Sequence, residues 1–325
     1  MSEENFNSRL DLQAIKERIE QVRTEIGRVV IGQHQLIDLM LVALLSDGHV
    51  LIEGVPGIAK TLTSKLMART LGIEFARIQF TPDLMPSDVV GTSVFNMKSG
   101  EFDYKKGPIF SNVVLIDEIN RAPAKTQSAL FEVMEEFQVT VDGNTYPMNL
   151  PFLVLATQNP VDQEGTYRLP EAQLDRFIFK AIVDYPDTED EVKLLANVNM
   201  SKKHDDVSKI GEVISAEEIT EFRNTVLQVH VEEKLLTYIA QIVGETRENP
   251  SLYLGASPRA SIALLKASKA LAVVKGRDFV TPEDIKYLSK PVLRHRVILT
   301  PEREIEGKST DEIIEMIVNK IEVPR

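Results

Sequence analysis

The sequence predicts an α/β core built on a parallel sheet, followed by an all-helical domain. Three observations carry that expectation. Short apolar runs alternate with helical patterns up to about Val183, helical patterns then follow one another without strand-like runs, and Tyr185-Pro186-Asp187 separates the two regimes. Strands that alternate with helices need crossover connections, and crossovers put helices on both faces of a parallel sheet. For 325 residues, at about 150 per domain, the natural division is residues 1–186 and 187–325.

The elements follow in order. A short helix is expected near the N-terminus, ahead of the sheet. His49–Glu53, Phe75–Phe80, Val113–Ile116, Phe152–Thr157 and Ile178–Val183 are rich in apolar residues, as strands covered on both faces are. Lys60–Thr70 and Lys125–Glu136 read as helices, the second with Ala129, Leu130, Val133, Met134 and Phe137 as its apolar stripe. Residues 86–107 form an insertion between the second and third strands. Within 138–149, Asp142-Gly143 flanked by Val139, Val141 and Tyr146 predicts a hairpin. A short helix begun at Pro170 closes at Leu174-Asp175-Arg176-Phe177. Pro186 ends the last strand, and Asp187 or Thr188 caps the next helix. Helices are then expected over Thr188–Asn199, Ala216–Gln228, Glu232–Asn249, Ser257–Lys275, Thr281–Leu293 and Thr310–Ile321. Thr281-Pro282-Glu283-Asp284 supplies a cap, a proline at the first position and acids in the first turn.

Composition excludes several function classes. Hydrophobic residues at 43% and charged residues at 26% match a folded globular chain rather than a disordered one. With no cysteine, disulfides, thiolate zinc sites and thiol catalysis are ruled out. The five histidines form no metal-binding spacing. MSEENFNSRL has no apolar core of a signal peptide. The longest apolar run, Leu39 to Leu45, is too short to cross a bilayer. A soluble, cytoplasmic protein without membrane insertion is therefore expected. Net charge is −12, from 37 basic and 49 acidic residues. That balance disfavours bulk binding to nucleic acid or anionic membranes, which reward clustered Lys and Arg.

The strongest local signal is Gly54-Val55-Pro56-Gly57-Ile58-Ala59-Lys60-Thr61, after a strand and opening a helix. A phosphate chain needs close backbone approach, free N–H groups at a helix N-terminus, a cation and a hydroxyl for magnesium. Gly54 and Gly57, Lys60, and Thr61 supply these, although the usual pattern has glycine where Ala59 stands. Val113–Ile116 leads into Asp117-Glu118, an arrangement in which one acid holds magnesium and the next polarises water. Leu155-Ala156-Thr157-Gln158-Asn159-Pro160 ends the next strand, where Asn159 either orients a water or merely starts a turn. In Ser257-Pro258-Arg259, a cation in a helix's first turn opposes the helix dipole. A phosphate or an acidic side chain would relieve it.

As a set, these motifs resemble the AAA+ ATPases, and GVPGIAKT, IDEINRAPAKTQSALFEVMEE, LATQNP and GTYRLPEAQLDRF resemble the MoxR branch. The resemblance runs from about Val30 to Val297. It implies a parallel-sheet core with a helical lid, and Mg²⁺-dependent ATP hydrolysis. Val30, Ile31, Gly32 and Gln33 would form the segment that packs on adenine. Gly54, Val55, Pro56, Gly57, Ile58, Ala59, Lys60, Thr61 and Leu62 would cradle the phosphates. Thr61 and Asp117 would hold Mg²⁺, Glu118 would be the general base and Asn159 the first sensor. Arg176 would be the finger that enters a neighbouring subunit, with Arg168 a competing candidate. Arg259 would be the second sensor. ATP is expected between core and lid, with Arg259 on the lid wall. The family also implies a homo-oligomeric, hexameric ring that remodels client proteins, with partners bearing a von Willebrand factor A-type domain. A nucleotide-gated scaffold with little turnover and a DNA-translocating motor are the alternative readings.

Overall fold

A computed structural model of the chain describes residues 12–55, 57–158, 167, 169–200 and 210–324. Its centre is a five-stranded parallel sheet of β1 (Val50–Gly54), β2 (Phe75–Gln79), β3 (Val113–Asp117), β4 (Leu153–Gln158) and β5 (Phe179–Val183). The spatial order is β2-β3-β4-β1-β5. β3 is buried at every position and β4 at all but Gln158. Their side chains alternate between the two covered faces, which is why the runs read as continuously apolar.

Helices α1 (Gln13–Gly27), α2 (His34–Leu45), α3 (Lys60–Thr70) and α4 (Ala124–Glu136) pack around the sheet. Ile15, Ile19, Val22 and Ile26 recur at helical spacing and are the buried stripe of α1. α2 is apolar on almost every side, because it lies between the sheet and the helices that follow.

The insertion at 86–107 is a short helix, Pro86–Val90, running into an antiparallel hairpin of Gly91–Asn96 with Glu101–Lys106. That hairpin has no sequence signal comparable to Asp142-Gly143. The second hairpin, Gln138–Val141 with Asn144–Pro147, turns as expected through Asp142 (φ 51°) and Gly143 (φ 77°). The two hairpins meet. Tyr104 stacks on Tyr146 with ring centroids 4.3 Å apart, and Ser93 Oγ donates to Asp142 Oδ2 at 2.5 Å.

The C-terminal part is α5 (Thr188–Met200), α6 (Ala216–Gln228), α7 (Glu233–Glu248), α8 (Pro258–Val274), α9 (Pro282–Leu293) and α10 (Thr310–Lys320), with a short turn of helix at Pro301–Ile305. Asp187 Oδ1 accepts from the Asp190 N–H at 2.8 Å, so Asp187 supplies the cap before α5. Thr281 and Asp284 form a reciprocal capping box at α9. One feature corrects a helices-only expectation: Leu252–Leu254 pairs antiparallel with Ile298–Leu299. Segments this short carry no legible alternation. The small residues Ala260, Ala267 and Ala270 let α8 pack closely against neighbouring helices, and α2 is one of them. A single apolar cluster runs from Val50 and Ile52 of β1 through α2 to Leu264 and Leu288. Core and lid therefore share one hydrophobic interior.

Candidate active site

The phosphate-loop candidate sits where open α/β sheets bind ligands, at the C-terminal ends of the strands. Gly54 ends β1 beside Val183 of β5. A Cβ on Gly54 would lie 2.4 Å from the Val183 carbonyl, so the position admits only glycine. The chain then passes Gly57 at φ +87° and Ala59 at φ +60° before α3 begins at Lys60. Ala59 in the left-handed region explains why glycine is usual there, since a side chain costs roughly 1–2 kcal/mol in that conformation. Lys60 Nζ donates to the Gly54 carbonyl at 2.7 Å. Partial burial pushes the Lys60 ammonium below its ordinary pKa, against the opposing pull of Asp117 and Glu118. Pro56 lies outside the described residues.

Asp117 ends β3 nearly buried, at 8% exposure. Its Oδ1 accepts from Thr157 Oγ1 at 3.2 Å and its Oδ2 from Arg77 Nε at 2.5 Å. Glu118 follows at φ +57°, which turns its side chain out of the strand direction. Glu118 Oε2 accepts from Gln79 Nε2 at 2.8 Å and faces Arg121 Nε at 3.1 Å. The Thr157 hydroxyl also accepts from the Glu118 N–H at 3.0 Å, so one hydroxyl on β4 ties both acids. Gly57, Lys60 and Thr61, Arg77 and Gln79 of β2, and Asp117, Glu118 and Thr157 line a single cavity. Its hydroxyl and carboxylate oxygens fit Mg²⁺, which takes few protein ligands and completes its shell with water and substrate phosphates. No cluster of three acidic or histidine side chains suited to a metal occurs among the described residues. The sequence motifs do not include Arg77, Gln79 or the Thr157 hydroxyl among the candidate site residues. Phe75–Gln79 did hold a signal: Arg77 and Gln79 flank buried Ile78 with period two.

Val30 is a core side chain at 3% exposure, so it cannot face a base directly. Gly32 and Gln33, just after Ile31, instead line a cavity with Asp184 and Tyr185, immediately beyond the Val183 neighbour of Gly54. The expected adenine segment thus adjoins the phosphate loop through Gly32 and Gln33 rather than through Val30.

Arg176 and Arg259 lie elsewhere. Both pair with Glu135 near the end of α4, Arg259 Nη2 at 3.0 Å from Oε1 and Arg176 Nη1 on Oε2. Arg176 Nη1 also donates to the Phe131 carbonyl at 3.0 Å, while its buried Nε has no hydrogen-bond partner among the described residues. Desolvation, then the nearby Arg259 charge, pushes the Arg176 pKa down. The two arginines share a cavity with Ser46, Gly48 and His49, which immediately precede β1. They therefore stand at the N-terminal ends of the strands, and Gly54 stands at the other end of β1. Four residue steps of strand put roughly 13 Å between those edges. Arg259 consequently does not stand over the phosphate loop of its own chain, contrary to the expected lid wall. Asn159 and Arg168 lie outside the described residues.

A parallel α/β core with a phosphate loop, paired acids at the next strand's end and a helical lid defines a P-loop ATPase of the AAA class. Residues 49–179 match the family model "ATPase family associated with various cellular activities (AAA)", and 244–317 match "AAA lid domain". The chain is 48% identical to uncharacterized protein YeaC of Bacillus subtilis, over 92% of each. It is 42% identical to Chaperone MoxR1 of Mycobacterium tuberculosis, over 94% of this chain and 82% of that one. A crystal structure of a candidate ATPase from Cytophaga hutchinsonii superposes with a TM-score of 0.88 at 46% identity, over 97% of each chain. The chain belongs to the MoxR family of AAA+ ATPases.

Proposed function

We propose that this chain hydrolyses Mg²⁺–ATP at sites completed between subunits of a ring, and uses the cycle to remodel client proteins. The observation that carries the reading is the division of one chain into two edges, phosphate loop and paired acids on one, Arg176 and Arg259 on the other. Each edge lacks what the other offers. A head-to-tail contact between copies would bring them together, and such contacts close into rings when their rotation permits.

In this reading Lys60 neutralises the β- and γ-phosphates, and the α3 N-terminus supplies N–H donors. Thr61 and Asp117 would hold Mg²⁺, which would supply charge neutralisation for the phosphates. Thr157 and Arg77 orient Asp117. Glu118 accepts the proton of the attacking water once its carboxylate turns from Gln79 towards the γ-phosphate. Arg176 and Arg259 of the adjacent subunit stabilise the transition state, and Asn159 remains the proposed first sensor. The boundary near 186, a hexameric state, a cytoplasmic setting and a von Willebrand factor A-type partner belong to the same proposal. Support for protein clients comes from the net charge of −12 and from apolar exposure on the 91–106 hairpin, where Phe95, Met97 and Phe102 face solvent. The chaperone name of the Mycobacterium relative agrees with that direction.

Steady-state phosphate release and nucleotide binding test the two-edge site. Arg176→Ala and Arg259→Ala should each keep ATP affinity within about twofold while hydrolysis falls about 10³-fold for Arg176. An Arg259→Ala variant that loses ATP affinity as a dilute monomer would place that arginine over its own nucleotide and overturn this assignment.

A further inference from the structure

Asp175 stands between the two arginines in the covalent and hydrogen-bonded structure. It directly precedes Arg176. Its Oδ2 accepts from Ser257 Oγ at 2.9 Å, and Ser257 in turn caps α8 by accepting from the Arg259 N–H at 3.1 Å. Its Oδ1 accepts from Arg296 Nε at 2.6 Å, and its carbonyl accepts from Arg296 Nη2 at 3.0 Å. Arg296 is sealed at 3% side-chain exposure. It also donates to the carbonyls of Phe177 at 2.7 Å, Ile178 at 3.2 Å and Val292. The guanidinium therefore ties the end of α9 to the segment that enters β5. One carboxylate, on the residue next to Arg176, holds the first turn of the lid helix bearing Arg259 and the lid's Arg296.

We infer that Asp175 is a positioning residue that locks Arg176 and Arg259 into one rigid unit, so that both reach a neighbour's phosphates together. A lid shift transmitted through Arg296 moves both arginines at once. The inference rests on the reading that these arginines act on the adjacent subunit's nucleotide. Glu135 neutralises the pair from the α4 side, and Asp175 sets the spacing from the core through the lid's Ser257 and Arg296.

The test measures ATP affinity, KM and kcat for Asp175→Asn and Ser257→Ala, alone and in mixed rings. Ser257→Ala leaves the Asp175–Arg296 ion pair in place, so it remains informative if Asp175→Asn fails to fold. Each should lower kcat about tenfold or more with KM for ATP within about twofold. Ser257→Thr, which keeps the hydroxyl, should recover most of that loss. Mixing either damaged variant with Lys60→Ala should restore turnover, because the Lys60→Ala subunit donates an intact arginine edge to an intact loop. Mixing with Arg176→Ala should restore none, since both lesions lie on one edge. Parent-level kcat in both variants overturns the inference. So does failure of Lys60→Ala to rescue folded Ser257→Ala in co-assembled rings while it rescues Arg176→Ala. Failure of the Arg176→Ala and Lys60→Ala control itself would overturn the two-edge reading, and this proposal with it.

Discussion

Glu118 stands one residue past a buried strand, with a backbone conformation that few non-glycine residues adopt. Asp117 shares the Thr157 hydroxyl with it, yet only Asp117 is buried, and the two acids face different partners. The nearly buried acid bonded to Arg77 suits a fixed metal ligand. The more exposed acid, held by the amide of Gln79, suits a group that takes a proton. Glu118→Gln keeps the shape and removes the base, so it should bind ATP at parent affinity and lose hydrolysis by about 10²-fold or more. Phosphate release with a parallel nucleotide-binding titration checks this. Turnover near the parent rate would reassign the base.

At the scale of elements, the end of α4 is pinned to the sheet by a buried imidazole. His49 Nε2 contacts the Met134 carbonyl at 3.1 Å, and its Nδ1 accepts from the Val154 N–H at 3.1 Å. Accepting at Nδ1 leaves Nε2 as the donor and the ring neutral. Burial lowers the His49 pKa from 6.5 to about 4 and pushes His295 well down too. The unfolded chain takes up the proton first as pH falls, so stability is full above pH 6.5 and declines between there and about 4. The His49 part is on the order of 3 kcal/mol. Urea midpoints should therefore drop between pH 7 and pH 5, and a flat profile would contradict the buried-neutral assignment. The central strands β1, β3 and β4 were legible because burial on both faces makes them apolar runs, and Ser257 and Thr281 were legible as caps. The hairpin at 91–106 was not, because its outward residues face solvent and its turn lacks an Asn-Gly or Asp-Gly pair. Arg77 and Gln79 were visible as polar residues in a strand, but only the register of β2 beside β3 pairs Gln79 with Asp117 and brings them to the acids. Glu135 and Asp175 could not be read, since their partners are 124 and 121 residues away in sequence.

The whole molecule has a polarity that its two-part sequence conceals. Core and lid share one hydrophobic interior, and Arg259 joins Arg176 at Glu135 rather than the phosphate loop. In the proposed reading a single chain thus exposes a nucleotide-holding edge and an arginine edge that cannot meet within it. An isolated subunit should be a poor ATPase, because an arginine finger contributes roughly 10³–10⁵ in rate. The most direct test mixes two inactive variants, Lys60→Ala with a ruined loop and Arg176→Ala with a ruined finger, and follows phosphate release. Activity should appear on mixing and peak near equal proportions, since intact loop and intact finger then meet across an interface. Mixed assemblies that form yet stay silent at every ratio would contradict a site shared between subunits.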